Sequence, residues 1–413
     1  MSHQSENVAR LLRETLGEQP QQDQEPRFAV TTDMSEASPQ GTIRADLSLE
    51  KIREMAGDDD PTIESPQFHK ELLAMAGLPP EEYRVIEGKM RTSAWQQRED
   101  GDYLHSYRFE VERINPRIAW MLDEVDLLQQ VYAAIEKTPL PRRMGEEHCF
   151  VFQVGDLQLG KADGGGVEHV LTMFTEKLAS AVAAYREAAA IRNVAAVQIC
   201  MPGDCIEGNV SQGGRNQGHK NLSLGITEQV RLLHRLMILA VSEFGKVAPR
   251  VFLDVVNGNH DESQRVPVST SPGDGWATAA AEMVRIGIEE MAPAGWDHIE
   301  VRVPADNRSF MVQELPGENV VIVAHGHQWR GQHKCLDWWS SQSFNHNVPS
   351  AGVLQFGHYH HPMLLADGLR HAICSDTLES ESSYYVNRVG SRSANLGTTY
   401  LLHKNIASFY THH

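Results

Sequence analysis

The chain has 413 residues, 41% of them hydrophobic and 22% charged, a size and balance that suit two globular domains or one large domain with additions. Its formal net charge of −18 excludes nonspecific coating of nucleic acid, because an acidic chain repels polyanions unless a local basic groove or a metal ion reverses the field. No apolar run nears the roughly 20 residues needed to span a bilayer, and the first residues lack the basic-then-apolar pattern of a signal peptide.

Residues 1–61 are polar and punctuated by Pro20, Pro26 and the charged stop Asp58-Asp59-Asp60-Pro61, so they are expected to be mostly disordered, with short helices near 8–16 and 49–55. A helix is expected at 66–77, ended by Gly77 and Pro79-Pro80. Strands follow at 83–86, 89–97 and 103–111, the last two joined by a hairpin-like turn at Glu99-Asp100-Gly101-Asp102. Residues 62–113 thus read as a small α+β accessory module. An amphipathic helix at 117–137, ended by Pro139-Leu140-Pro141, makes 114–147 a helical connector.

From residue 148 to 413 the pattern is a larger α/β domain. Apolar strands at 149–154, 195–201, 250–256, 320–324 and 353–356 alternate with helices at 167–193, 223–244 and 276–291, with further strand-like segments at 299–303 and 310–314. Such alternation argues for an α/β sandwich. Each of the five apolar strands runs into a polar group: Gly155-Asp156, Gly203-Asp204, Gly258-Asn259-His260-Asp261, His325-Gly326-His327 and Gly357-His358-Tyr359-His360. The carboxyl ends of strands are where α/β proteins place ligands. Carboxylates, an amide oxygen and imidazoles together suit Mn, Fe, Zn or similar ions, and two neighbouring ions can bind the attacking and leaving oxygens of a phosphoryl group. The five cysteines show no Cys-x-x-Cys spacing, which argues against a zinc knuckle and fits a reducing cytoplasm. Gly164-Gly165-Gly166 lacks the Lys-Ser/Thr of a nucleotide-binding loop and reads as a turn before a helix.

On these ordered motifs, residues 148–405 resemble the calcineurin-like metallophosphoesterase superfamily, nearest in look to its phage-encoded and DNA-repair nuclease members. The resemblance implies a two-sheet sandwich flanked by helices, two divalent metal ions, Mn first with Mg, Fe or Zn as alternatives, and hydrolysis of phosphodiester bonds by a metal-bound hydroxide. It implies that Asp156 and His360 hold the first ion, that Asp204 bridges, and that Asn259, His325 and His358 hold the second. His260 is then not a ligand but the catalytic residue, which stabilises the pentavalent phosphorus or protonates the leaving oxygen. One position departs from the pattern: Gln158 stands where the superfamily has histidine, so the first site is expected to have a weaker, harder ligand, with Glu207 and His148 as substitutes.

Substrate choice is expected to rest on two segments. The first, 328–349, carries Trp329, Arg330, Lys334, Trp338 and Trp339; tryptophans with basic neighbours suit base stacking and phosphate pairing. The second, 380–392, carries Tyr384, Tyr385, Arg388 and Arg392. Lys161 and the 215–220 loop are further candidates for phosphate contact. A DNA exo- or endonuclease is the leading expectation, with a cyclic-nucleotide phosphodiesterase or phosphomonoesterase as the alternative and a non-catalytic assembly module behind both. The N-terminal module is expected to meet a protein partner or the substrate. Homo-oligomer formation is left open.

Overall fold

The protein is represented by a computed structural model that describes residues 29–33, 40–56, 62–80, 82–96, 103–113, 138, 140, 143–209, 222–264, 271–305, 307–346, 348–379 and 398–410. The expected helices at 8–16 and 117–137, the turn at 99–102, the 215–220 loop, Arg388 and Arg392 lie outside the described residues. The chain divides into two units, residues 1–116 and 117–413.

In the first unit, strands β1 (Ala29–Asp33), β2 (Gln40–Leu47), β3 (Tyr83–Gln96) and β4 (Tyr103–Arg113) form an antiparallel sheet in the order β1-β2-β4-β3. Burial alternates along it: Ile43, Ala45 and Leu47 are buried on β2 and Tyr107, Phe109 and Val111 on β4, while Arg44 and Arg108 are exposed. Helices α1 (Leu49–Ala56) and α2 (Pro66–Met75) cover the apolar face through Ile52, Met55, Phe68 and Leu72. Ser65 starts α2 by accepting the Phe68 amide at 3.1 Å, with Pro66 at the first helical position.

The short helix expected near 49–55 is α1, and together with β2 it supplies Ile43, Ala45, Leu47, Ile52, Met55 and Ala56 to the same core as Phe109. Their apolar residues are sparse in sequence but share one face at strand and helix spacing. The expected pair of strands at 83–86 and 89–97 is one strand, β3, with an irregular register between Val85 and Met90.

The second unit is a mixed α/β sandwich. One sheet has the order β15-β14-β5-β6-β7-β8, built from β5 (Glu147–Gln153), β6 (Asn193–Met201), β7 (Val251–Val255), β8 (Ile299–Arg302), β14 (Thr398–His403) and β15 (Ile406–Tyr410). The other has the order β12-β13-β11-β10-β9, built from β9 (Phe310–Leu315), β10 (Asn319–Ala324), β11 (Gly352–Phe356), β12 (Met363–Asp367) and β13 (Arg370–Cys374). Strands β5 to β8 are parallel to one another, as are β10, β11 and β13. Cys149 and Val151 of β5 face the second sheet, meeting Val321, Val323 and Val353. Phe150 and Phe152 point the other way, into helices α3 (Gly166–Ile191), α4 (Ile226–Gly245) and α5 (Trp276–Met291). Helix α6 (Cys335–His346) covers the outer face of the second sheet with Cys335 and Trp339. No described helix is long and apolar enough to cross a membrane.

The interior between the sheets carries one polar line. Arg302 Nε and Nη2 donate to Asp254 at 2.6 and 2.7 Å, and Gln198 Nε2 donates to Asp254 at 2.6 Å. Gln198 and Gln355 exchange amide bonds at 3.0 and 2.8 Å. Gln355 donates to Tyr400 Oη and Tyr400 to Gln153 Oε1, both at 2.8 Å. Gln153 Nε2 then reaches the carbonyls of Phe356 and Ile373 at 3.0 and 3.1 Å. Every step pairs a donor with an acceptor, which is how a buried polar series is tolerated. Asp254→Ala would strip Arg302 of its carboxylate partner and is expected to destabilise the fold by about 3–5 kcal/mol. A lowered urea midpoint with unchanged slope is the expected result; an unchanged midpoint would refute it.

Candidate metal centre

The motif loops leave the carboxyl ends of β5, β6, β7, β10 and β11, and hydrogen bonds stitch them together across the two sheets. The Asp156 amide donates to Gly203 O at 3.0 Å, and the Gly357 amide to His325 O at 2.9 Å. His358 N donates to both oxygens of Asp156, at 3.0 and 2.8 Å. Thr377 Oγ1, from the loop after β13, donates to Asp156 O at 2.7 Å.

This junction concentrates backbone strain. Asp156, Gln158, Asp204, His358 and His360 all have positive φ, between 42° and 72°. Such conformations are disfavoured for residues with a Cβ and persist where the surroundings over-determine them, above all at functional sites. Gly258 is required by proximity: a Cβ there would lie 2.1 Å from Asp204 Oδ1 and 2.4 Å from Asp204 N. Gly258→Ala must therefore displace Asp204. Overpacking of about 1–3 kcal/mol is expected, together with roughly tenfold or greater loss of metal affinity measured by calorimetry; wild-type affinity would contradict this packing.

Asp204, His325 and His358 each offer one ligand atom, all within 4.8 Å of one another. His325 Nδ1 donates to Pro202 O at 2.8 Å, which turns Nε2 toward Asp204 Oδ2 at 3.0 Å and His358 Nδ1 at 3.2 Å. Asn259 Oδ1 is buried without a hydrogen-bond partner. A carboxylate, two imidazole nitrogens and an amide oxygen are a fitting donor set for Mn, Fe or Zn.

His260 stands beside this group. Its backbone amide donates to Asp204 Oδ1 at 2.7 Å. Nδ1 donates to Glu207 O at 3.0 Å and lies 3.3 Å from Glu207 Oε2, while Nε2 lies 3.9 Å from Asp204 Oδ2. Asp261 carries no ligand atom into the group. It accepts from the amides of Gly258 at 2.8 Å and Ile206 at 3.1 Å, tying the β7 loop to the β6 loop.

A second group surrounds Asp156. His360 Nε2 lies 3.4 Å from Asp156 Oδ1, and Nδ1 lies 2.8 Å from Glu379 Oε1. Lys161 Nζ donates to Glu379 Oε2 at 2.6 Å and to Gln158 Oε1 at 2.8 Å. With its oxygen on the ammonium, the Gln158 amide turns Nε2 toward His260 Nε2 at 3.5 Å. Gln158 Oε1, the atom expected to ligate a metal, is thus the acceptor of the Lys161 ammonium. His148 is no substitute, since it lies at the start of β5, bonded to Glu146 O and stacked on His403. Glu207 faces His260.

Burial alone disfavours charge on the imidazoles, yet the carboxylates outweigh it. Asp204 and Asp156 push His325 up to about 9, Asp204 and Glu207 push His260 up to about 9, and Asp156 and Glu379 push His360 up to about 10. Burial raises the Asp204 carboxyl, but His325 and His260 hold it well below the usual carboxylate range. Burial and the neighbouring His325 push His358 down to about 4. Burial, then Asp204, raises Asp261 to about 6.

The proposed substrate residues fare differently. Trp329 is 7% exposed and packs its ring on Trp338 and Phe356, so it is core and presents no stacking platform. Trp339 is fully buried. Arg330 and Lys334 are exposed on the stretch after His325. Glu379 went unnoticed in the sequence. The signal was present, because β13 ends in Ser375-Asp376-Thr377 as the other site strands end in polar groups.

No protein-family model and no curated protein matches the chain. Among solved structures it is similar to an archaeal phosphodiesterase, at 12% identity over 64% of this chain and 99% of the other, with a TM-score of 0.30. It is also similar to the phosphoesterase YfcE from E. coli, at 14% identity over 63% and 97%, TM-score 0.27. A third is vacuolar protein sorting 29 from Cryptosporidium parvum, at 14% identity over 64% and 97%, TM-score 0.28. Likeness at this level carries nothing toward activity, so the functional reading rests on this chain's own side chains.

Proposed function

We propose that residues 117–413 form a metal-dependent phosphoesterase that hydrolyses phosphodiesters. The carrying observation is the convergence of Asp204, His325 and His358 within 4.8 Å at a strained junction of loops, with the partnerless Asn259 Oδ1 beside His260. Asp204, Asn259, His325 and His358 would hold a divalent cation. When bound, such a cation supplies Lewis acidity toward a phosphoryl oxygen and charge for the transition state.

The remaining work belongs to the side chains. Glu207 O fixes the His260 ring through Nδ1, leaving Nε2 as the nitrogen that presents a proton to the leaving oxygen. Asp261 keeps the Asn259-His260 loop seated on the Asp204 loop. Gln158 Nε2 is a further donor on the same side as His260 Nε2.

DNA is the substrate favoured by exposed Arg330 and Lys334. The burial of Trp329 and Trp339 favours a second reading, a cyclic nucleotide or phosphomonoester, because the stacking platform for a nucleic-acid strand is absent there. Bis-p-nitrophenyl phosphate turnover that is lost with chelator and restored by Mn²⁺ tests the class; full turnover by chelator-treated, metal-free protein would overturn it. Parallel assays on single-stranded DNA, duplex DNA and cyclic nucleotides separate the two substrates.

The first unit is read as a device for substrate or partner choice. Removing residues 1–116 is expected to leave bis-p-nitrophenyl phosphate turnover within a few-fold while changing action on the natural substrate. A folded, metal-loaded but inert truncation would sink this division of labour.

A further inference from the structure

We propose that the Lys161 ammonium takes the place of the first of two cations, so that this centre binds one divalent ion, at Asp204, Asn259, His325 and His358. The inference rests on the phosphoesterase reading and narrows it. Four observations carry it.

First, the residues around Asp156 do not make a second donor set. Among the described residues only Asp204, His325 and His358 form a group of three or more His, Cys, Asp or Glu side chains with converging ligand atoms. Second, the atoms that would ligate at the other position are engaged. Gln158 Oε1 accepts from Lys161 at 2.8 Å, and the two nitrogens of His360 lie against Glu379 and Asp156 at 2.8 and 3.4 Å. A protonated amine cannot ligate, and a cation placed among these oxygens would meet the ammonium at like charge.

Third, Lys161 is built in. Its side chain is 13% exposed, and that of its partner Glu379 is 3% exposed. The turn that carries it is pinned on both sides: Gln158 N donates to Asp204 O at 2.9 Å, Lys161 N to Gln158 O at 3.1 Å, and Ser223 N to Gly160 O at 2.8 Å. Fourth, the amide and the ammonium are close in sequence. Gln158 and Lys161 sit three residues apart on one turn, so the residue that departs from the expected ligand pattern is the one that the ammonium holds.

An ammonium has three donors. Two are used on Gln158 and Glu379, which leaves one N–H that would serve a non-bridging oxygen of a phosphodiester substrate. The fixed charge thus supplies substrate binding and charge neutralisation on that side, and the single metal serves the other.

The test is metal content of the full-length protein, dialysed against excess Mn²⁺ or Zn²⁺ and then freed of unbound metal, with calorimetric titration alongside. One ion per chain is expected. His325→Ala should take the content from one to zero, whereas a two-ion centre would fall from two toward one. The pair Gln158→His with Lys161→Ala should raise the content to two. Two tightly held ions in the unmodified protein would overturn the proposal even if hydrolysis is robust. No bound ion in the unmodified protein, with no hydrolysis of bis-p-nitrophenyl phosphate, would instead overturn the phosphoesterase reading. If the double variant does not fold, the unmodified and His325→Ala contents decide the matter.

Discussion

Replacing Asp204 with alanine is expected to abolish metal binding and hydrolysis together. Its carboxylate lies 3.0 Å from His325 Nε2 and also accepts the His260 amide at 2.7 Å. The substitution therefore removes one ligand, releases the ring of another and loosens the loop that carries Asn259. A cation of this kind contributes several kcal/mol of transition-state stabilisation, so the rate should fall by about 10³-fold or more. Elemental analysis should find the variant metal-free. A variant that keeps its metal and more than a tenth of the rate would remove Asp204 from the centre.

His260→Ala should behave differently although it alters a neighbouring residue. Neither ring nitrogen belongs to the converging ligand group; Nδ1 is committed to Glu207 O. Metal content and KM should stay near those of the unmodified protein, while kcat falls by about 10²–10⁴-fold, the usual contribution of a positioned acid. Metal loss equal to that of Asp204→Ala would make His260 a ligand. Near-normal kcat would take it out of the reaction.

The motifs were legible in sequence because each one terminates an apolar strand, so order and spacing alone brought Asp156, Asp204, Asn259, His325 and His358 to one end of a sandwich. The strand-helix alternation of 148–302 was legible for the same reason: α5 is observed at Trp276–Met291, where helical periodicity placed it. Less visible were β12 and β13, whose Asp367-Gly368 hairpin turn is a recognisable signal but whose residues are largely exposed on β12. Glu379 was missed with them, because the polar group Ser375-Asp376-Thr377 that announces it follows β13, a strand the apolar pattern did not single out. The state of Gln158 depended on Lys161 and Glu379, a meeting made by tertiary structure across 218 residues of chain. Trp329 misled because a tryptophan beside an arginine reads alike in a binding face and in a core.

The polar line between the sheets has a consequence for how the centre fails. Asp204 and Asn259 extend from one sheet, and His325 and His358 from the other. Their spacing is therefore only as constant as the alignment of two separate slabs. An oily seam is nearly indifferent to a slip of a fraction of a residue, since its attraction has no direction. The amide pair of Gln198 and Gln355 is not indifferent, because such bonds weaken steeply when bent or stretched. The two slabs are thus pegged rather than merely pressed together. Gentle warming should leave the ligand geometry unchanged until the pegs release, and affinity for the ion should then vanish in the same narrow interval in which the sandwich opens.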